Sequence, residues 1–171
     1  LALWALAVST TVWAQPSLTP FPLEIKRKPS GFSQKEVEEL QREFVRLVRK
    51  SGALVPDSGS LDLALKELKR QDCEREDACL QALALQAQTL YALYANVDYT
   101  LEGAVVATGR VVRDDGQVAC APQTVTLPKG KDAFKDVAKV ALGQLLTLLD
   151  PAKLPAFRPV EKPAEEGKLP Q

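Results

Sequence analysis

Near residue 90 the spacing of apolar side chains changes, and that change limits what this chain can fold into. Before it, Val37, Leu40, Phe44, Leu47 and Val48 recur at three- and four-residue steps, which puts them on one side of an amphipathic helix. After it, Tyr91, Leu93, Ala95, Val97, Tyr99 and Leu101 occupy alternate positions, and Asn96, Asp98 and Thr100 stand between them. A period of two places successive side chains on opposite faces, so this stretch reads as a strand with one buried and one wetter face. A chain with helical periodicity on one side of that point and strand periodicity on the other packs helices against a sheet.

Local signals set the boundaries. Ser33-Gln34-Lys35-Glu36 is a capping box, in which the Ser33 hydroxyl accepts from the Glu36 amide and the Glu36 carboxylate accepts from the Ser33 amide. The first helix ends near Gly52, where a left-handed cap suits glycine. Residues 53–55 read as a short strand ended by Pro56, and Asp57-Ser58-Gly59 turns the chain. A second helix is expected with Ser60 as its cap and Leu61, Leu65 and Leu68 along one face, failing near Asp72. A third begins near Asp77 and packs Leu80, Leu83, Ala84 and Ala87. Glu102-Gly103 turns into a Val-rich strand over residues 104–113. Asp114-Asp115-Gly116 signals a hairpin, because Asp-Gly tolerates the positive backbone angles of the favoured tight turn. Residues 118–127 return as a strand that Pro128 and Gly130 end. The last helix covers roughly residues 132–149, with Phe134, Val137, Ala141, Leu145 and Leu148 as its buried face and Pro151 as its stop. The expectation is therefore one α+β domain over residues 33–150: a mixed sheet of about four strands with helices packed on one face, in the order α-β-α-α-β-β-β-α.

The flanks differ in character. Residues 1–14 are mostly apolar and end in Val12-Trp13-Ala14, with small side chains where signal peptidase needs them. They read as a signal peptide truncated at its start and cut before Gln15. The rival reading is the end of a longer membrane anchor. The run itself is shorter than the roughly 20 residues that span a bilayer, and no Cys stands at the cut to take a lipid. Residues 15–32 hold Pro16, Pro20, Pro22, Pro29 and Gly31 and read as an extended leader. Residues 151–171, with Pro151, Pro155, Pro159, Pro163 and Pro170, read as a disordered tail or linker.

Three cysteines are present, and outside the cytoplasm a nearby pair oxidises. Cys73 and Cys79 are that pair. In one unbroken helix they would stand about 9 Å apart along the axis, on opposite sides. A disulfide needs α-carbons within about 7 Å, so the bridge requires a break between them. The polar run from Asp72 to Asp77 allows one. A metal site would need more ligands than two thiols offer, and a redox pair is usually spaced Cys-x-x-Cys. Cys120 is left over, either a buried thiol on a strand or a partner for a cysteine elsewhere.

The chain has no His, which removes the Ser-His-Asp triad, the Cys-His pair and the common His-bearing zinc sites. Carboxylate, Lys or Tyr chemistry remains open. Its 22 basic and 22 acidic residues balance, which gives no electrostatic footprint for nucleic acid. Lys26-Arg27-Lys28 reads as a solvated run. Pro128-Lys129-Gly130-Lys131-Asp132 lacks the glycines of a phosphate loop, and Asp57, Gly59 and Asp62 lack the remaining ligands of a calcium loop. No catalytic, cofactor-binding or metal-ligating residue is therefore expected. Tyr94 falls on the strand face opposite Tyr91 and Tyr99, which makes it the candidate for an exposed aromatic contact.

Cys79-Leu80 opening a helix, the strand from Tyr91 to Glu102-Gly103, the hairpin Val111-Val112-Arg113-Asp114-Asp115-Gly116 and the closing helix to Leu149 together resemble a known pattern. It is similar to the small α/β domain of bacterial envelope proteins related to the TolB N-terminal domain and the curli-secretion lipoprotein CsgG, over roughly residues 35–150. That resemblance implies a non-enzymatic envelope component that binds other proteins. The resulting expectation is an exported bacterial protein, periplasmic or secreted, with envelope proteins as partners, no nucleic acid, no cofactor, and no stable transmembrane segment after signal removal. The alternatives are an extracytoplasmic enzyme using carboxylates or Lys, and a small-ligand binder with Tyr94 lining a cleft. Convergent polar groups in a pocket would favour the enzyme; an apolar groove or a free sheet edge would favour the interaction domain.

Overall fold

Two strands precede the first helix, where a leader was expected. The computed structural model describes residues 14–68 and 73–157; residues 1–13, expected as a signal peptide, residues 69–72, where the second helix was expected to fail, and residues 158–171, most of the expected tail, lie outside the described residues. Strands β1 (Leu18–Pro20) and β2 (Glu24–Arg27) run parallel along one side of β3 (Tyr91–Tyr99). Leu18 and Leu23 are buried in the core, so this segment belongs to the domain. Its prolines are compatible with strand as well as with an extended leader, because at a sheet edge a missing N–H is tolerated. The Thr19 and Thr89 hydroxyls meet at 2.8 Å in the interior and pin β1 to the start of β3.

The sheet continues through β4 (Val105–Arg113) and β5 (Val118–Leu127), both antiparallel, giving five strands in mixed orientation. Four helices pack against it: α1 (Gln34–Lys50), α2 (Ser58–Glu67), α3 (Asp77–Ala87) and α4 (Phe134–Leu149). The fold class is α+β, in the order β-β-α-α-α-β-β-β-α. The strand expected at residues 53–55 is a single parallel bridge between Leu54 and Ser17. The α1 capping box is present, with the Ser33 amide donating to Glu36 Oε2 at 2.8 Å. Helix α2 is capped by Asp57 rather than Ser60: Asp57 Oδ1 accepts from the Ser60 amide at 2.9 Å, and that bond holds its carboxyl below the usual range. Both hairpins close with three-residue loops whose last residue, Gly103 or Gly116, has positive φ, rather than with a two-residue Asp-Gly turn.

Helices cover both faces of the sheet, not one. Helices α1 and α4 enclose a core with Leu18, Tyr91, Leu93, Ala95, Val97, Val105, Ala107 and Val111. Helix α3, with α2 beside it, packs a second cluster on Ala92, Tyr94 and Val112. Strand β3 is therefore buried on both sides through Val97. Gly109 makes the first core tight. A β-carbon there would stand 2.9 Å from the Tyr94 carbonyl and 3.1 Å from Leu145 Cδ2, so only glycine lets α4 press this closely. Helix α4 buries Phe134, Ala141 and Leu145 as expected, but its inward face is turned toward the 138/142/149 side. Ala138, Leu142, Leu145, Leu146 and Leu149 face inward, while Leu148 is 53% exposed.

Candidate functional site

Helix α3 covers only part of its face of the sheet. Beyond it, Asp98 of β3, Val106 and Thr108 of β4, and Thr124 and Thr126 of β5 share a surface that no described helix covers, with the buried Asn96 at its inner margin. A cleft of about 460 Å³ runs along the boundary, walled by residues 74–77 on one side and by Val118 and Pro122 on the other.

The residues flanking this wall are stapled. Cys73 and Cys79 form a disulfide with α-carbons 4.9 Å apart. The chain breaks there, as the bridge requires: α2 ends at Glu67 and α3 begins at Asp77. Arg110 reaches across from β4 and ties the loop to the sheet. Its Nε donates to Asp77 Oδ1 at 2.9 Å, Nη1 to the Glu74 carbonyl at 2.9 Å, and Nη2 to the Cys73 carbonyl at 2.8 Å. The guanidinium also lies over the Tyr94 ring, 5.0 Å from its centroid. Arg110 is 9% exposed, so these partners replace lost hydration. Arg110 is not among the residues expected to form a site. Its signal in the sequence is a charge in the interior of a Val-rich strand, flanked by Gly109 and Val111, which marks a buried group with assigned partners.

Tyr94 is not an exposed aromatic. It is 2% exposed, on the face expected for it, but that face has its own helical layer there and Phe21 packs against the ring. Its hydroxyl donates to Glu24 Oε2 at 2.7 Å and accepts from Asn96 Nδ2 at 3.2 Å. Burial, then the bond to Glu24, pushes the phenol well above its usual pKa. Lys26 pairs with Glu74 and so links β2 to the disulfide loop. Arg27 grips Asp98 with two bonds of 2.7 Å and holds that carboxyl below its usual range. Glu24, Lys26 and Arg27 thus bring the supposed leader into the site.

The groups singled out elsewhere do not converge on this cleft. Asp115 sits at the hairpin tip, paired with Arg113 and accepting from the Gln117 amide. Cys120 is a free, half-buried thiol on β5, and burial raises its pKa. Among the described residues there is no cluster of three or more metal-ligating side chains, and no helix is long and apolar enough to cross a membrane.

No family model matches the sequence, and no curated protein matches it. Solved structures do. The chain is similar in fold to lipoprotein GNA1162 from Neisseria meningitidis, at 12% identity over 77% of this chain and 94% of that one, with a TM-score of 0.51. It also matches the LpoB C-terminal domain from Salmonella enterica at 14% identity, over 70% of this chain and 87% of that one, with a TM-score of 0.47. The PelC dodecamer from Paraburkholderia phytofirmans matches at 13% identity, over 80% of this chain and 89% of that one, with a TM-score of 0.48. The likeness to GNA1162 establishes a fold shared with a bacterial lipoprotein.

Proposed function

We propose that this chain is an exported, non-enzymatic component of the bacterial envelope that binds other proteins through the uncovered half-face of its sheet. The observation that carries this reading is the state of the polar groups around the cleft. Arg110, Tyr94, Lys26, Arg27 and Asp98 are each bonded to a structural partner, so they build the surface and hold its wall. Ionisation points the same way. Asp98 is moved down and Tyr94 up, both away from neutrality, whereas a proton-transfer group works best with a pKa near the ambient pH. The bridge between Cys73 and Cys79 supports an oxidising compartment, and the apolar start of the sequence supports export.

Site-specific photo-crosslinking in intact cells tests this. A photoreactive side chain replacing Val106 or Thr108 is expected to give discrete adducts with one or a few envelope proteins. The same group replacing Lys35 or Leu85, on other surfaces, gives none. Equal labelling from all four positions, or no protein adduct from Val106 and Thr108, contradicts the proposal.

A further inference from the structure

Two uncharged features lie side by side at the other edge of the domain. Helix α4 packs over both β4 and β5. Its side toward α1 carries Lys135, which donates to Glu39 at 2.8 Å, and Gly143 and Leu146, which border Leu47 and Ser51. At about 100° per residue, Val137, Val140, Gln144 and Leu148 fall on the opposite flank, which overhangs β5. Val140 is 54% exposed there, much like Leu148, and residues 140–149 hold no charge.

Strand β5 is the outer strand, and no described strand pairs with its far side. Natural edge strands are usually blunted by charge, proline or bulges. Here Pro122 and two register irregularities protect the first half. Residues 123–127 pair regularly with β4, and the whole strand carries no charged residue. They form an open, regular edge beneath an apolar helix flank.

We propose that two copies of this chain pair antiparallel through residues 123–127, about a two-fold axis perpendicular to the sheet. Such an axis brings both α4 helices to the same face of one continuous sheet, with their exposed flanks toward each other. Neighbouring strands lie about 4.8 Å apart, and a helix straddling β4 and β5 sits about half that distance inside the edge. The two helices then stand about 10 Å apart, at the upper end of normal helix packing distances. A foreign strand would satisfy the β5 backbone but bring no helix flank to cover Val140 and Leu148; a second copy covers both. On the opposite face, Thr124 of each copy meets Thr126 of the other, a favourable cross-strand pair. Neither surface carries a charge to repel its own copy. Helix α4 lies across the sheet from the half-face proposed for partner binding; only Thr124 and Thr126, at the outer margin of that half-face, meet the second copy, so Val106 and Thr108 stay open in the dimer and the two proposals are tested separately.

Sedimentation velocity over a concentration series tests this on the protein purified after export. The wild type is expected to reach twice the monomer mass. Leu148→Glu, at an already exposed position, is expected to weaken association by roughly tenfold or more, with an unchanged circular dichroism spectrum and Tm. In a Cys120→Ser background, a single cysteine replacing Val140, Gln144 or Leu148 is expected to give a disulfide-linked dimer at one or more positions, while one replacing Leu85 gives none. A monomer at every concentration, a dimer indifferent to Leu148→Glu, or equal crosslinking from Leu85 overturns the proposal.

Discussion

The two faces of the sheet are held by different physics. Under α1 and α4 the core is apolar and continuous from Leu18 to Leu149, and Gly109 lets the helix sit directly on the strands. Under α3 the apolar cluster is smaller, and the structure relies on a disulfide, one buried arginine and a tyrosine hydroxyl bonded across elements. The first arrangement gives stability and covers its face of the sheet with helices. The second leaves half a sheet face uncovered and fixes the wall beside it.

Truncating the first face is expected to have the largest effect. Leu145→Ala opens a cavity in a fully buried site and costs about 3 kcal/mol, read from chemical denaturation, without selective loss around residues 73–79. On the second face, Arg110→Leu leaves Asp77 and two carbonyls without their donor and costs about 2 to 3 kcal/mol. Replacing both bridge cysteines by serine costs about 2 kcal/mol in the chain-entropy description of so small a loop. Combined with Arg110→Leu, the loss should be less than the sum, because both features hold the same loop; full additivity in a double-mutant cycle would break that link. The smallest effect belongs to Asp98→Asn. The Asp98 carboxyl has a lowered pKa when folded, so its pairing with Arg27 stabilises the fold above the unfolded carboxylate pKa of about 3.9. That contribution disappears as pH falls through the lower folded value. The variant should lower Tm slightly at neutral pH and converge with the wild type in acid.

The legible part of this molecule was its local chemistry. The capping box at Ser33, the change of period near Tyr91, the hairpins at Gly103 and Gly116 and the break between Cys73 and Cys79 all depend on neighbours in sequence, and each is where the residues put it. What depended on tertiary layering was not. Nothing near Tyr94 says that a second helical layer covers its face. Proline at residues 16, 20 and 22 describes a chain that avoids helix, which an edge strand satisfies as well as a leader. In α4 apolar residues nearly encircle the helix, so periodicity could not choose between Leu148 and Leu149 for the interior. Of the site, the sequence showed the disulfide and missed Arg110, whose partners are 33 or more residues away.

Hydrogen exchange on the oxidised and the reduced protein tests the division between the faces most directly. Reduction is expected to raise exchange in the first turn of α3 and in β2, which Lys26 ties to the stapled loop through Glu74, while β4 and α4 keep their protection. A uniform loss of protection across both faces, or no change in α3 and β2, would contradict it.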